Sequence, residues 1–104
     1  MSRPANALRG EAAFPIAGRE WLLRPSFQNL VAAEEELGSL FALVERASGG
    51  SITLSEITAL VWHCLDPEIR PQREVVGEAV LALGLVKSTA PVRVILAQVL
   101  KGDV

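Results

Sequence analysis

The amino-acid sequence predicts an α+β fold, in which an N-terminal β-hairpin precedes about five short helices packed in one small domain. Residues 11–16 and 19–24 are short, half-apolar runs on either side of an Ala17-Gly18 turn, which is typical of a hairpin. After them, helix-capping residues and glycine or proline stops alternate with apolar residues at helical spacing. Because the chain has 104 residues, half of them apolar, we expect a single core.

The register of the hairpin follows from the chemistry of its paired positions. A two-residue turn places Phe14 opposite Trp21 on one face. The same register places Glu11 opposite Arg24 on the other face. An aromatic pair and an ion pair therefore support one register. Since Pro15 has no N–H to donate, we expect its strand to be an edge strand with that position facing outward.

Two short helices are predicted directly after the hairpin. Ser26 is a favourable N-cap for the first, which we expect to run to Leu37 and to end at Gly38. Ser39 caps the second, which the segment 48–50 stops. The expected apolar residues are Phe27, Leu30, Val31 and Leu37 in the first helix and Leu40, Leu43, Val44 and Ala47 in the second.

The third helix is predicted over residues 54–65. Thr53 and Glu56 have the spacing of a capping box, which marks its start, and Asp66-Pro67 ends it. Trp62 lies on this helix, which is apolar nearly all round. We therefore expect its ring to lie either in the core or at an interface.

The last two helices are predicted from their boundary residues. The fourth begins near Pro71, a favoured first-turn residue, and ends before Gly84. The fifth begins at Ala90-Pro91 and ends at Gly102. The expected apolar residues are Val75, Val76, Ala79, Val80 and Leu83 in the fourth helix and Val92, Ile95, Leu96 and Val99 in the fifth.

The charge of the chain argues against nucleic acid as a partner. Ten basic and twelve acidic residues give a formal net charge of -2, and the basic residues are dispersed. A small DNA-binding regulator, with the third and fourth helices as a helix-turn-helix, is the weaker alternative. The link over residues 66–71 is long for that motif, and the second helix carries Glu74 and Glu78 where a basic or amide side chain is expected.

A reducing compartment is expected from the cysteine content, because Cys64 is alone and no intramolecular disulfide can form. Residues 1–9 are polar and are predicted as a flexible lead-in, without the apolar run of a signal peptide, to a single domain over residues 10–102. No stretch approaches the roughly 18 apolar residues of a membrane span. We therefore expect a cytoplasmic protein without a membrane partner.

No catalytic, cofactor-binding or metal-binding residue is predicted. His63 and Cys64 are the only histidine and cysteine, but neighbours on a helix point about 100° apart, so the imidazole does not face the thiol. One histidine and one cysteine also do not supply the converging ligands of a zinc site. Glu34, Glu35 and Glu36 fan out around their helix, so we expect a solvated acidic face or a contact surface for a basic partner.

Several short motifs occur in a recognisable order along the chain. They are Leu8-Arg9-Gly10-Glu11, Ile16-Ala17-Gly18-Arg19, Leu23-Arg24-Pro25-Ser26-Phe27 and the Glu34–Gly38 stretch, followed by Val76-Gly77-Glu78-Ala79 and Leu83-Gly84-Leu85. In this order, over about residues 8–101, they resemble the gene transfer agent family of small tail proteins.

The resemblance implies a non-catalytic tail-assembly chaperone of a gene transfer agent or prophage, which holds an aggregation-prone tail component such as the tape-measure protein. Proteins of this family have also been described as tail tube proteins, so a structural tail component, tube or connector, is the alternative. We favour the chaperone because a tube subunit must close a ring through long paired strands, and one short hairpin containing Pro15 supplies little sheet. The oligomeric state is not predicted.

The hairpin is the first candidate for a contact surface. An isolated hairpin is marginally stable in water, so its apolar side chains must pack on the helices or on a partner. We predict a protein-binding surface formed by Trp21, Leu22 and Arg24, together with Glu35 on the acidic face of the first helix. The alternative for Trp21 is a place in the core.

Overall fold

Residues 11–102 are described by a computed structural model, in which a two-stranded antiparallel hairpin is followed by five helices. The predicted α+β fold class and element order are confirmed. The predicted lead-in, residues 1–9, lies outside the described residues. The elements are β1 (Ala12–Ile16), β2 (Arg19–Leu23), α1 (Phe27–Leu37), α2 (Leu40–Ser48), α3 (Leu54–Cys64), α4 (Arg73–Leu83) and α5 (Leu85–Lys101).

The hairpin has the predicted register. Phe14 pairs with Trp21, and the Glu11 and Arg24 side chains form an ion pair at 3.7 Å between Oε2 and Nε. The turn has positive φ at Ala17 (52°) and at Gly18 (82°), which is the backbone of a type I′ hairpin turn. Its right-handed twist matches that of the strands, so a tight two-residue connection is sufficient.

The first three helices begin at the predicted caps. Ser26 Oγ accepts a hydrogen bond from the backbone N–H of Asn29, and Ser39 Oγ accepts one from Ala42, each at 3.2 Å. Thr53 and Glu56 form a complete capping box. These side chains satisfy N–H groups that have no partner inside their own helices.

The start of α5 corrects the predicted boundary. The helix begins at Leu85 rather than at Ala90-Pro91, and Pro91 lies inside it. Gly84 has φ 96°, and its carbonyl accepts from the N–H of Ser88 at 2.9 Å, so the chain turns and re-enters a helix at once. Proline is most common in a first helical turn, which is why the fifth helix was predicted to start there. In the structure, Pro91 instead lies inside α5 and removes one hydrogen bond of the helix.

The exposure of Phe27 is a second difference from the prediction. It was predicted on the apolar face of α1, but its side chain is 83% exposed, and Ala33 is the fully buried residue of this helix. Phe27 occupies the first turn of α1, where none of the elements described within residues 11–102 covers it. Val31 on the next turn is also exposed, so the buried face is carried by Leu30, Ala33 and Leu37.

The core lies between the hairpin and the helices. α3 packs against α1, α4 and α5, and β1 packs against α4 and α5. The N–H of Arg24 donates to the carbonyl of Cys64 at 2.8 Å, which fixes the end of the hairpin to the end of α3. The largest fully buried side chains are Phe14, Ile16, Leu23, Leu43, Ile57, Leu60, Leu65, Ile95, Val61, Val76, Val80 and Val92.

Candidate protein-binding site

The three predicted hairpin residues lie on two different faces. Because side chains alternate along a strand, Trp21 faces the core together with Phe14, whereas Leu22 and Arg24 face the opposite way. Trp21 is half-buried against the core, and the Arg19 guanidinium lies over its ring at 4.1 Å from the centroid. Most of the Trp21 surface is therefore buried, which agrees with the alternative placement of this residue in the core.

Leu22 and Arg24 line a cleft of about 410 Å³, here called the hairpin cleft. The end of the hairpin forms one wall, and the connection after α3, which includes the exposed Ile69, forms the other. Asn29 Nδ2 donates to the carbonyl of Arg24 at 2.9 Å and holds α1 against this wall. The full lining is Leu22, Arg24, Ser26, Gln28, Asn29, Asp66, Pro67 and Ile69.

Glu35 lies apart from this cleft. It is exposed on α1, and it is not among the residues that line the hairpin cleft. Of the four predicted contact residues, only Leu22 and Arg24 line this cleft. The acidic run is divided by the helical geometry, since Glu34 Oε2 accepts from the N–H of Leu40 at 3.1 Å and Glu36 faces α3 and α4.

A larger cleft was missed by sequence reasoning. It has a volume of about 940 Å³ and lies between the end of α1, the start of α3 and the outer face of α4, so we call it the α1–α3–α4 cleft. Three separate segments contribute to it, and no single motif marks it. The lining residues are Glu36, Leu37, Thr53, Leu54, Ser55, Thr58, Arg73, Glu74, Gly77, Glu78 and Leu81.

A charged cluster closes one end of the α1–α3–α4 cleft. The Glu36 carboxylate binds Arg73 through both oxygens and also meets His63 Nε2 at 2.8 Å. The hydrogen bonds from Arg73, and then the one from His63, hold the pKa of Glu36 at about 2, against an ordinary value of 4.5. One carboxylate of α1 is thus fixed against side chains of α3 and α4.

Trp62 anchors the connection between α3 and α4. Its Nε1 donates to the carbonyl of Pro71 at 3.1 Å, and the guanidinium groups of Arg70 and Arg73 lie over its ring at 3.5 Å and 4.4 Å from the centroid. Trp62 therefore serves a structural role at the boundary of the core. It also positions Arg73 between the ring and Glu36.

His63 and Cys64 are both buried, and they serve different neighbours. His63 faces Glu36, while burial raises the pKa of the Cys64 thiol to about 12. A thiol in this state supplies almost no thiolate at neutral pH. Within residues 11–102, no group of three or more His, Cys, Asp or Glu side chains is arranged to hold a metal ion.

The described surface carries many large apolar side chains. Those of Phe27, Val86 and Phe41 are 83%, 85% and 64% exposed. The remaining members of this group are Val31, Leu54, Ile69, Val75, Leu81, Leu85 and Leu100. In the part of the chain that is described, no single helix is long and apolar enough to cross a membrane, although α4 and α5 together meet that test across a bend of 115°.

Comparison with known proteins gives one family. The family model described as "Phage tail tube protein, GTA-gp10" matches residues 9–102, which include the hairpin and all five helices of the described chain. No curated protein and no solved structure gives a significant match.

Proposed function

The chain belongs to the phage tail protein family described as the tail tube protein GTA-gp10, and we propose that it works there as a non-catalytic assembly chaperone. The predicted membership of the gene transfer agent tail family is thereby confirmed. In the proposed role, the protein binds another tail protein in the cytoplasm before the tail is complete. The tape-measure protein is the proposed partner, as the aggregation-prone tail component that the family resemblance implies.

The exposed apolar surface carries this proposal. Ten large apolar side chains of residues 11–102 are exposed, and those of Phe27, Phe41 and Val86 are each more than 60% exposed, so apolar surface is available to a partner. Two clefts of about 410 and 940 Å³ lie on the same molecule. A surface of this kind is suited to holding apolar segments of another chain.

The limited sheet favours a chaperone over a tube subunit. Among residues 11–102 the sheet has two strands of five residues each, and the exposed Pro15 interrupts the hydrogen-bonding edge of one of them. A ring built by strand pairing needs a longer edge on each subunit. The exposed faces of the helices can still contact a partner protein, and contacts of this kind suit transient binding.

The absence of catalysis is part of the same proposal. The thiol of Cys64 is buried and has a raised pKa, and the His63 ring is occupied by Glu36. The ion pairs Glu36 with Arg73 and Glu56 with Arg46 join elements of the fold. These groups support packing, and none of them presents an activated nucleophile to a cleft.

Co-expression with the tape-measure protein of the same gene cluster tests the proposal. The expected result is that the tape-measure protein becomes soluble and co-purifies with the chain. A matched expression with an unrelated small protein of similar charge should leave it insoluble. Failure of both solubility and co-purification would argue strongly against the chaperone function.

A structural tail component is the second candidate, and the family description as a tail tube protein favours it. This candidate predicts that the purified chain forms rings or tubes at high concentration. Electron microscopy of the concentrated protein distinguishes the two candidates. A persistent monomer or dimer contradicts the tube subunit.

A further inference from the structure

Gly77 lies in the middle of α4, on the surface of the α1–α3–α4 cleft. Glycine inside a helix lowers stability relative to alanine, so a packing reason is expected. A Cβ at this position would lie 3.7 Å from Thr58 Cγ2 and 4.0 Å from Thr58 Oγ1, which is ordinary van der Waals contact. The packing of α4 on α3 therefore leaves room for a methyl group and does not explain the missing side chain.

Glu74 and Glu78 flank Gly77 on the same helix. They are four residues apart, so their like charges face one another across one turn, which disfavours a helix. Both are exposed and both line the cleft. Neither carboxylate forms a direct ion pair among residues 11–102, in contrast to Glu36 at the end of the same cleft, and the Arg73 charge attracts Glu74 only through space.

Leu54 and Leu81 provide the apolar part of the cleft. Their side chains are 37% and 57% exposed, and they come from the start of α3 and the last turns of α4. Leu37 lies half-buried beside them. The cleft thus combines an apolar surface, a position without a side chain, and two carboxylates without a direct ion pair. Each of these features costs the isolated fold some stability, and they meet at one site.

We propose that the α1–α3–α4 cleft binds an amphipathic helix of the partner protein that carries Lys or Arg beside its apolar stripe. The apolar stripe packs against Leu54 and Leu81, and the basic side chains meet Glu74 and Glu78. Gly77 lets the backbone of the bound helix approach α4 closely. This inference rests on the proposed chaperone function, and it adds the chemistry of the segment that the chaperone holds.

Two synthetic helical peptides serve as probes for the full-length chain. Both have the same leucine stripe, flanked by Lys in one peptide and by Glu in the other. The chain is expected to bind the Lys peptide at least about tenfold more tightly than the Glu peptide. The double variant Glu74→Lys with Glu78→Lys should reverse this preference. A control with the same change of charge, Glu20→Lys with Glu45→Lys, should keep the original preference.

Gly77→Ala provides a second, independent test. The added methyl group should raise Tm by roughly 2 to 6 °C, because the helix gains intrinsic stability, and should weaken binding of the Lys peptide by about tenfold. Gly77→Leu should abolish detectable binding. Ala82→Leu places the same side chain on an exposed position of α4 that does not line the cleft, and it should bind like the unmodified chain.

The results separate this inference from the proposed function. Equal binding of the Lys peptide by the unmodified chain, Gly77→Leu and the Glu74/Glu78 double variant would overturn the inference. If the tape-measure protein still co-purified with those variants, the chaperone function would stand without this cleft. If the Lys peptide bound as expected but the tape-measure protein did not co-purify, the chaperone function would fail and the cleft would stand. If the unmodified chain is a dimer and Gly77→Leu is a monomer, the cleft binds a second copy of this chain. That result would overturn the proposal that it binds a helix of a partner protein.

Discussion

Arg73 on α4 donates hydrogen bonds to both carboxylate oxygens of Glu36 on α1, at 2.5 Å to Oε2 and 2.8 Å to Oε1. His63 on α3 meets the same carboxylate at 2.8 Å. A bidentate pair of this geometry is stronger than a single ion pair. Three helices are therefore joined at one acidic side chain, beside the larger cleft.

Glu36→Gln is expected to lower the free energy of unfolding at neutral pH by about 1 kcal/mol, since the side chain is 39% exposed and water screens the pair. The pKa of Glu36 is lowered in the folded state, from 4.5 to about 2. Its contribution is therefore complete above about pH 4.5 and is lost as the pH falls toward 2. Urea unfolding of both proteins across this range measures the difference.

The exposed Glu20 on β2 supplies the control for this experiment, because Glu20→Gln makes the same change of charge away from the cluster and should change stability little. A difference between the unmodified chain and Glu36→Gln that stayed constant down to about pH 2 would contradict the assigned role of Glu36.

The two tryptophans offer a matched comparison of one hydrogen bond. Trp62 Nε1 donates to the carbonyl of Pro71, whereas Trp21 Nε1 is buried without a hydrogen-bond partner among residues 11–102. Trp21 lies under one arginine and Trp62 under two, and a phenyl ring keeps a face for these contacts. Trp62→Phe should therefore cost about 1 kcal/mol more than Trp21→Phe. Chemical denaturation measures both, and an equal or larger loss for Trp21→Phe would be the contrary result.

The hairpin and the helix starts could be predicted because their signals are local. Two cross-strand pairs fixed the register, and serine or threonine caps marked the first three helices. The start of α5 could not be predicted, because the polar run before Pro91 shows no apolar periodicity and the helix is set by the turn at Gly84. Phe27 was misplaced since spacing identifies a helix face but not how far a neighbour covers it.

The candidate site was less predictable than the fold. The contact between Glu36 and Arg73 joins residues 37 positions apart, and composition gives no indication of it. Trp21 and Leu22 were grouped by sequence proximity, although adjacent strand positions face opposite ways. The larger cleft requires the packing of three helices, so only Gly77, as an unexplained glycine in a helix, offered a signal in the sequence.

The turn of the hairpin carries strain that can be removed. Ala17 has φ 52°, a left-handed conformation that asparagine and glycine adopt more readily than alanine. Ala17→Asn should stabilise the protein by about 0.5 to 1 kcal/mol. The same substitution at the exposed strand residue Ala13 should be neutral or destabilising. A lower denaturation midpoint for Ala17→Asn than for the unmodified chain would contradict the type I′ turn.

Cys64 should be inert toward alkylation in the folded protein. Burial raises the pKa of its thiol to about 12, so almost no thiolate is present at about pH 8. Iodoacetamide should label the unfolded chain in guanidinium rapidly and the native chain at least about a hundredfold more slowly. Mass spectrometry of timed samples measures both rates. Comparable rates would show that α3 opens readily or that the thiol is accessible.

The copy number of the chain in finished particles tests the chaperone proposal most directly. An assembly chaperone leaves when the tail is complete, whereas a tube subunit stays in many copies as stacked rings. Quantitative mass spectrometry of purified particles, with the major capsid protein as internal standard, should find less than about one copy of this chain per particle. Many copies per particle, in multiples of a ring, would contradict the chaperone function and assign the chain to the tube.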